Sequence, residues 1–157
     1  GVLTDGRLYF SAAGEEMKAF HARDGLGLKS LQHAGITVAV LSARDSPAVN
    51  RRMESLGVDH VLQGHRDKLP AFDALLQRLD LDRRQASYAG DDRLDLPIMK
   101  VCGFAAAPAD AIAEIRAQAH RITNAPGGHG AAREIADWLL AARGAGDPPE
   151  EPCAGAG

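Results

Sequence analysis

The run "GITVAVLSA" (35–43) is short, apolar and rich in β-branched residues, and it ends in small polar ones. That is the pattern of a strand buried on both faces and released into a loop. Fainter copies follow in "VDHVLQG" (58–64), "ASYAGDD" (86–92), "GFAAAP" (103–108) and "HRITNA" (120–125). Around them the apolar residues take a helical spacing over 24–33, 46–56, 68–79, 95–101, 108–118 and 130–142. In the last stretch Ile135, Trp138, Leu139 and Ala142 share one face while Arg133, Glu134 and Asp137 point elsewhere, as an amphipathic helix requires. Strands that alternate with helices predict an α/β fold, a parallel sheet with helices on both faces, whose ligands bind beyond the carboxyl ends of the strands.

The residues at those ends form a consistent set. Ser42, Ala43 and Arg44 close the 35–43 strand, "HRDK" (65–68) brings Lys68 to a helix start, and Asp91 and Asp92 follow "SYAG" with Asp95 one turn on. A hydroxyl can donate to a phosphoryl oxygen, an ammonium neutralises it, and carboxylate oxygens are the ligands Mg²⁺ prefers. The set suits a phosphate and a hard cation at one sheet edge. A helix N-terminus disfavours a cation, so Lys68 is expected there for a bound anion. No Cys nucleophile or Ser–His–Asp arrangement accompanies these residues, which leaves phosphoryl transfer through a carboxylate as the open route.

Composition narrows the alternatives. A chain of 157 residues, 45% apolar, suits one compact domain. Its net charge is −3, with Lys and Arg spread along the chain, so no nucleic-acid or membrane surface is expected. No apolar run approaches the roughly 20 residues of a membrane span. Cys102 and Cys153 stand apart without a CxxC, which points to reduced thiols in a cytoplasm rather than a disulfide framework or zinc. His129 has no ligand-type neighbour at metal spacing, and the GxG of "DGLGLKS" (24–30) lacks a third glycine, so a dinucleotide site is not expected. The segment "GAGDPPEEPCAGAG" (144–157) has the composition of a disordered tail, leaving 1–143 as the domain.

The stretches "GVLTDGRLYF" (1–10), "GEEMKAFHARDGLG" (14–27), "SARDSP" (42–47), "LQGHRDK" (62–68), "YAGDDRLDLP" (88–97) and "GGHGAARE" (127–134) carry a resemblance in order and spacing as well as in residues. Through residue 143 or so the chain resembles the haloacid dehalogenase superfamily of phosphohydrolases, and within it the small capless 3-deoxy-D-manno-octulosonate 8-phosphate phosphatases. The resemblance implies Mg²⁺-dependent hydrolysis of that sugar-acid phosphate in lipopolysaccharide precursor synthesis. It implies Asp91 as metal ligand, Ser42 and Lys68 on the phosphate, and Asp92 positioning either Lys68 or a metal-bound water. Ala43 (where the family usually has Gly), Arg44, Arg23, Asp24, Gly127 and Gly128 are implied on the substrate side. The family's nucleophile and acid/base belong to an Asp-x-Asp directly before the position of Gly1, so the chain is expected to start just after that motif and to be inactive as given.

Other readings stay open beside this one. A nonulosonate 9-phosphate phosphatase of the same subfamily would share these motifs, and a catalytically silent assembly subunit would fit the missing Asp pair. A phosphoacceptor receiver domain combines similar residues but puts the acidic pair first and Lys last, whereas here Ser42 and Lys68 precede Asp91 and Asp92. The last expectation concerns assembly. In "RLYFSAAGEEMKAF" (7–20) two β-prone runs flank the loop "SAAGE", a hairpin whose apolar side chains need a cover. The resemblance implies four such hairpins at the centre of a homotetramer.

Overall fold

The structure, a computed structural model, describes residues 1–144, so the tail expected over 144–157 lies outside the described residues except for Gly144. The antiparallel hairpin of β1 (Tyr9–Phe10) and β2 (Glu16–Met17) sets Tyr9 opposite Met17 and Phe10 opposite Glu16. Its loop closes on Ser11, whose carbonyl accepts the Gly14 amide at 2.9 Å and whose hydroxyl accepts the Glu15 amide at 3.1 Å. Gly14 adopts a φ of +83° there, which a Cβ would strain.

The strand–helix alternation then runs α1 (Ala22–His33), β3 (Ala39–Leu41), α2 (Pro47–Ser55), β4 (His60–Leu62), α3 (Lys68–Arg78), β5 (Ser87–Ala89), α4 (Leu96–Met99), β6 (Phe104–Ala107), α5 (Ala113–Gln118), β7 (Arg121–Ile122) and α6 (Ala131–Arg143). Two helices differ from their sequence pattern. The one expected over 95–101 starts as a 3₁₀ turn at Arg93–Asp95 before α4. The one expected over 108–118 becomes helical only at Ala113, because the Ala109 and Ile112 amides are directed to the carbonyls of Ala125 and Asp91.

Strand β3 pairs in parallel with β4, and β6 pairs in parallel with both β5 and β7. The sequence pattern predicts one sheet; the described residues form two pieces, with no ladder between β3 and β5. Pairing is non-local, so the strand pattern carries no record of it. Strand β6 buries Ala105, Ala106 and Ala107 completely, while β3 and β5, each with one unpaired edge among the described residues, are less covered.

Helices cover both faces, and β3 shows how. Its side chains alternate with the strand's period of two: Val40 packs with Leu28 and Leu31 of α1, Met53 of α2 and Leu140 of α6, whereas Leu41 joins Phe72 of α3, Ile98 of α4 and Ile115 of α5. Tyr88 of β5 packs on the same cluster as Leu41, so this core joins the two sheet pieces. Helix α1 packs close against α6, and a Cβ on Gly27 would meet Ala136 Cβ and Arg133 Cα at 3.1 Å each. Between Gly6 and β3 there is only the hairpin and α1, and no cap domain is inserted.

Candidate active site

Three strands of the sheet end at the site. After β3, the Ser42 amide donates to Leu62 at 2.8 Å and its carbonyl accepts from His65 at 3.1 Å, which ties the β3 end to the β4 loop. The Ser42 hydroxyl oxygen accepts the Arg44 amide at 3.1 Å, leaving its hydrogen to donate to a ligand. Ala43 does not need a glycine's freedom, because Asp80 is the one non-glycine residue with positive φ among the described residues.

Lys68 begins α3, and its ammonium lies 2.6 Å from Asp95 Oδ1, with side chains only 12% and 4% exposed. The cost of a cation at a helix start is thus met by a buried carboxylate. Asp95 accepts from four donors: Lys68 and the Tyr88 hydroxyl on Oδ1, both at 2.6 Å, and the Asp91 and Asp92 amides on Oδ2 at 3.0 and 3.2 Å. Burial alone would raise its pKa, but the Lys68 charge and these hydrogen bonds outweigh it and hold the carboxyl below its ordinary value. Removing one member of so buried a pair leaves the other uncompensated, a loss of about 3–5 kcal/mol.

The sequence reading placed Asp92 with Lys68 or a metal-bound water; the structure corrects the first choice. Lys68 is held by Asp95, and Asp92 is exposed, with its Oδ1 accepting the Arg93 amide at 2.7 Å as cap of the 3₁₀ turn. Asp91 faces the other way, and its Oδ2 accepts from the ammonium of Gly1. Its carboxylate is thus directed to the start of the described chain and away from Lys68. Among the described residues no three His, Cys, Asp or Glu side chains converge as a metal site, so Asp91 would supply one of the several oxygens Mg²⁺ requires.

The substrate-side expectations divide. Arg23 and Arg44 are exposed and enter no ion pair among the described residues. Asp24, in contrast, is 2% exposed, and its two oxygens accept the Gly130 amide at 3.3 Å and the Arg133 amide at 2.9 Å. It caps α6 from α1 and is buried from solvent. Gly127 and Gly128 are also committed elsewhere, the first amide donating to Asp110 at 2.8 Å and the second to Val2 at 2.9 Å. Their missing side chains allow backbone to lie on backbone. A Cβ on Gly127 would stand 1.9 Å from the Gly1 carbonyl oxygen, and one on Gly128 would stand 2.4 Å from the Asp5 nitrogen. The glycine-rich loop is a clamp on residues 1–5.

Asp95, noted in the sequence one turn after Asp91, belongs to the site's framework, as do Tyr88, Asp110 and Gly90, which the sequence does not mark. Asp95 had a signal, its i,i+4 spacing from Asp91 on a helical turn. The others depend on which elements meet in space.

The chain matches the family model of haloacid dehalogenase-like hydrolases over residues 60–135. It is 44% identical over 144 residues to the 3-deoxy-D-manno-octulosonate 8-phosphate phosphatase KdsC of Haemophilus influenzae, a match covering 92% of this chain and 80% of that protein. Among solved structures it superposes on the 3-deoxy-D-manno-octulosonate 8-phosphate phosphatase of Yersinia pestis with a TM-score of 0.90, at 40% identity over 92% of this chain and 78% of that one. The enzyme of the same name from Moraxella catarrhalis, solved with magnesium ion, phosphate ion and a KDO molecule, gives a TM-score of 0.88, at 38% identity over 90% of this chain and 82% of that one.

Proposed function

Because the chain belongs to the haloacid dehalogenase-like hydrolases, and within them to the 3-deoxy-D-manno-octulosonate 8-phosphate phosphatases, we propose that it hydrolyses this sugar-acid phosphate to the free acid and inorganic phosphate, with Mg²⁺, for lipopolysaccharide precursor synthesis. The observation that carries the reading is the double hold of Asp95, which fixes the Lys68 ammonium on one oxygen and the Asp91 loop on the other. A phosphate anchor and a cation-binding carboxylate thus stand on either side of one buried group. Lys68 and the Ser42 hydroxyl bind the phosphoryl oxygens, and Arg44 and Arg23 hold the sugar's carboxylate through their forked guanidiniums. Asp91 contributes an oxygen to the metal, which when bound neutralises phosphoryl charge.

The two carboxylates that act on phosphorus and on the leaving oxygen are assigned, by the family's pattern, to an Asp-x-Asp joined to the amine of Gly1. Two features support that placement: the amine lies on Asp91, and β3 and β5 each keep an unpaired edge. Side-by-side hydrolysis of 3-deoxy-D-manno-octulosonate 8-phosphate and a nonulosonate 9-phosphate tests the assignment, on a chain carrying that motif, with Mg²⁺ and with EDTA. A preference of about tenfold or more in kcat/KM for the octulosonate is expected. The opposite preference replaces the substrate, and the absence of metal-dependent hydrolysis of either removes the reading.

The same reading includes a homotetramer joined through the hairpins. Leu8, Phe10 and Met17 are 45%, 59% and 55% exposed, so the hairpin is not folded back on its own domain, and a cluster of such side chains marks a contact surface. Light scattering at micromolar concentration is expected to give a tetramer that Phe10→Asp dissociates; a monomeric parent chain rejects the assembly. We place the reaction in the cytoplasm, where the free, buried thiol of Cys102 stays reduced. Among the described residues no helix is long and apolar enough to cross a membrane.

A further inference from the structure

The core cluster beneath the site is built of Phe72, Leu76, Ile98, Met99, Ala105 and their neighbours, and Tyr88 packs on it with its ring edge-on to Phe72, centroids 6.2 Å apart at 82°. A phenylalanine would fill that place equally well, and a hydroxyl taken into such a setting is costly unless it is hydrogen-bonded. The Tyr88 hydroxyl has its partner in Asp95 Oδ1, at 2.6 Å, the same atom that holds the Lys68 ammonium. Burial and then the Asp95 charge push the phenol far above its ordinary range, so it donates throughout the pH range of the folded protein.

The four donors on Asp95 differ in stiffness. Lys68 reaches it on a four-carbon stem, and the Asp91 and Asp92 amides belong to a loop and 3₁₀ turn. The phenol is rigid and rises from a strand. The carboxylate's own terminal torsion has broad, weak minima, so its orientation is set by its partners. We propose that Tyr88 is a positioning residue for Lys68: its hydroxyl fixes the rotation of the Asp95 carboxylate and thereby the point at which the ammonium meets a phosphate. By sharing the oxygen, the hydroxyl also weakens the hold of Asp95 on Lys68. Of the ammonium's three N–H donors, those not aimed at Asp95 are left for phosphoryl oxygens.

This inference rests on the reading of Lys68 as phosphate anchor, and one experiment separates the two. Inorganic phosphate is titrated into the full chain and its variants by ³¹P NMR, and the ¹⁵N signal of the Lys68 ammonium is followed in parallel. Lys68→Ala is expected to weaken phosphate about tenfold or more and Tyr88→Phe about fivefold. In the double variant Tyr88→Phe adds nothing, because its effect passes through Lys68. The ammonium signal shifts in Tyr88→Phe and stays in place in Ile98→Val, which loosens the same core without touching the hydroxyl. Unchanged phosphate affinity in Tyr88→Phe, or the same further loss in the Lys68→Ala background, overturns the positioning role while Lys68 remains the anchor. Unchanged affinity in Lys68→Ala overturns both. Should Lys68→Ala fail to fold, the ammonium signal of Tyr88→Phe decides alone, and an unmoved signal overturns the inference.

Discussion

Joining Asp-x-Asp directly to Gly1 is expected to raise hydrolysis of the sugar phosphate at least about a thousandfold over the 157-residue chain, to a turnover of roughly 1–10 s⁻¹. A site deprived of its nucleophile retains only binding and electrostatic contributions, which are a small part of the whole. The geometry makes the addition effective. The Gly1 nitrogen lies on Asp91, so residues joined to it enter beside the proposed metal ligand. In the extended chain Asp91→Ala should abolish the Mg²⁺-dependent rate. Asp92→Ala should leave a measurable remnant, since Asp92 caps a 3₁₀ turn, a contribution of about 1 kcal/mol. Initial rates with and without Mg²⁺ check all four chains. Ordinary enzymatic turnover by the 157-residue chain, or full activity in Asp91→Ala, would contradict the assignment.

Gly90→Ala is expected to have the next largest effect, although residue 90 touches no substrate. A Cβ there would stand 2.4 Å from Asp95 Cβ and 2.8 Å from its Cγ. Neither atom is the free end of a flexible chain. The Gly90 amide is bonded to the Ala106 carbonyl at 3.1 Å, so the backbone cannot retreat without opening the end of the β5–β6 ladder. Asp95 must give way instead, and with it the Lys68 ammonium and the Asp91 loop. A misplacement near 1 Å in such a site costs about 10²-fold in rate, and the overpacking about 1–3 kcal/mol in stability. Gly57→Ala is the useful contrast. At φ +68°, with its nearest neighbour 3.9 Å away, it should lose roughly 1–2 kcal/mol through left-handed strain and leave kcat/KM unchanged. Urea midpoints and steady-state rates of the two variants separate the effects, and a fully active Gly90→Ala would show that Asp95 can move freely.

The contrast between these residues explains how far the sequence could be read. Ser42, Lys68 and Asp91 are legible as strand-end residues because apolar periodicity is local and the polar residue after each strand falls at a known edge. The partners of Asp24, Gly127 and Gly128 are not, since each is set by an approach between distant segments: α1 against the start of α6, and the 125–130 loop against residues 1–5. The acidic trio shows the boundary within a single motif. Spacing puts Asp91 and Asp95 on one turn, yet only the 3₁₀ geometry at Arg93–Asp95 turns Asp95 inward to Lys68 and leaves Asp92 as a cap. The division of the sheet into two pieces was likewise invisible, because a strand's residues do not state which edge is paired.

The clamp formed by Gly127 and Gly128 recognises main chain rather than side chains. It receives the Val2 carbonyl on an amide and lies against the backbone atoms of Gly1, Thr4 and Asp5. Tolerance to substitution is therefore unequal on its two sides. The side chains of Val2 and Thr4 can vary without altering what the clamp touches, whereas the loop admits no atom beyond hydrogen at either glycine. A lineage of such chains can drift in the segment that is held while the two positions that hold it stay fixed, because any side chain there displaces the backbone of residues 1–5.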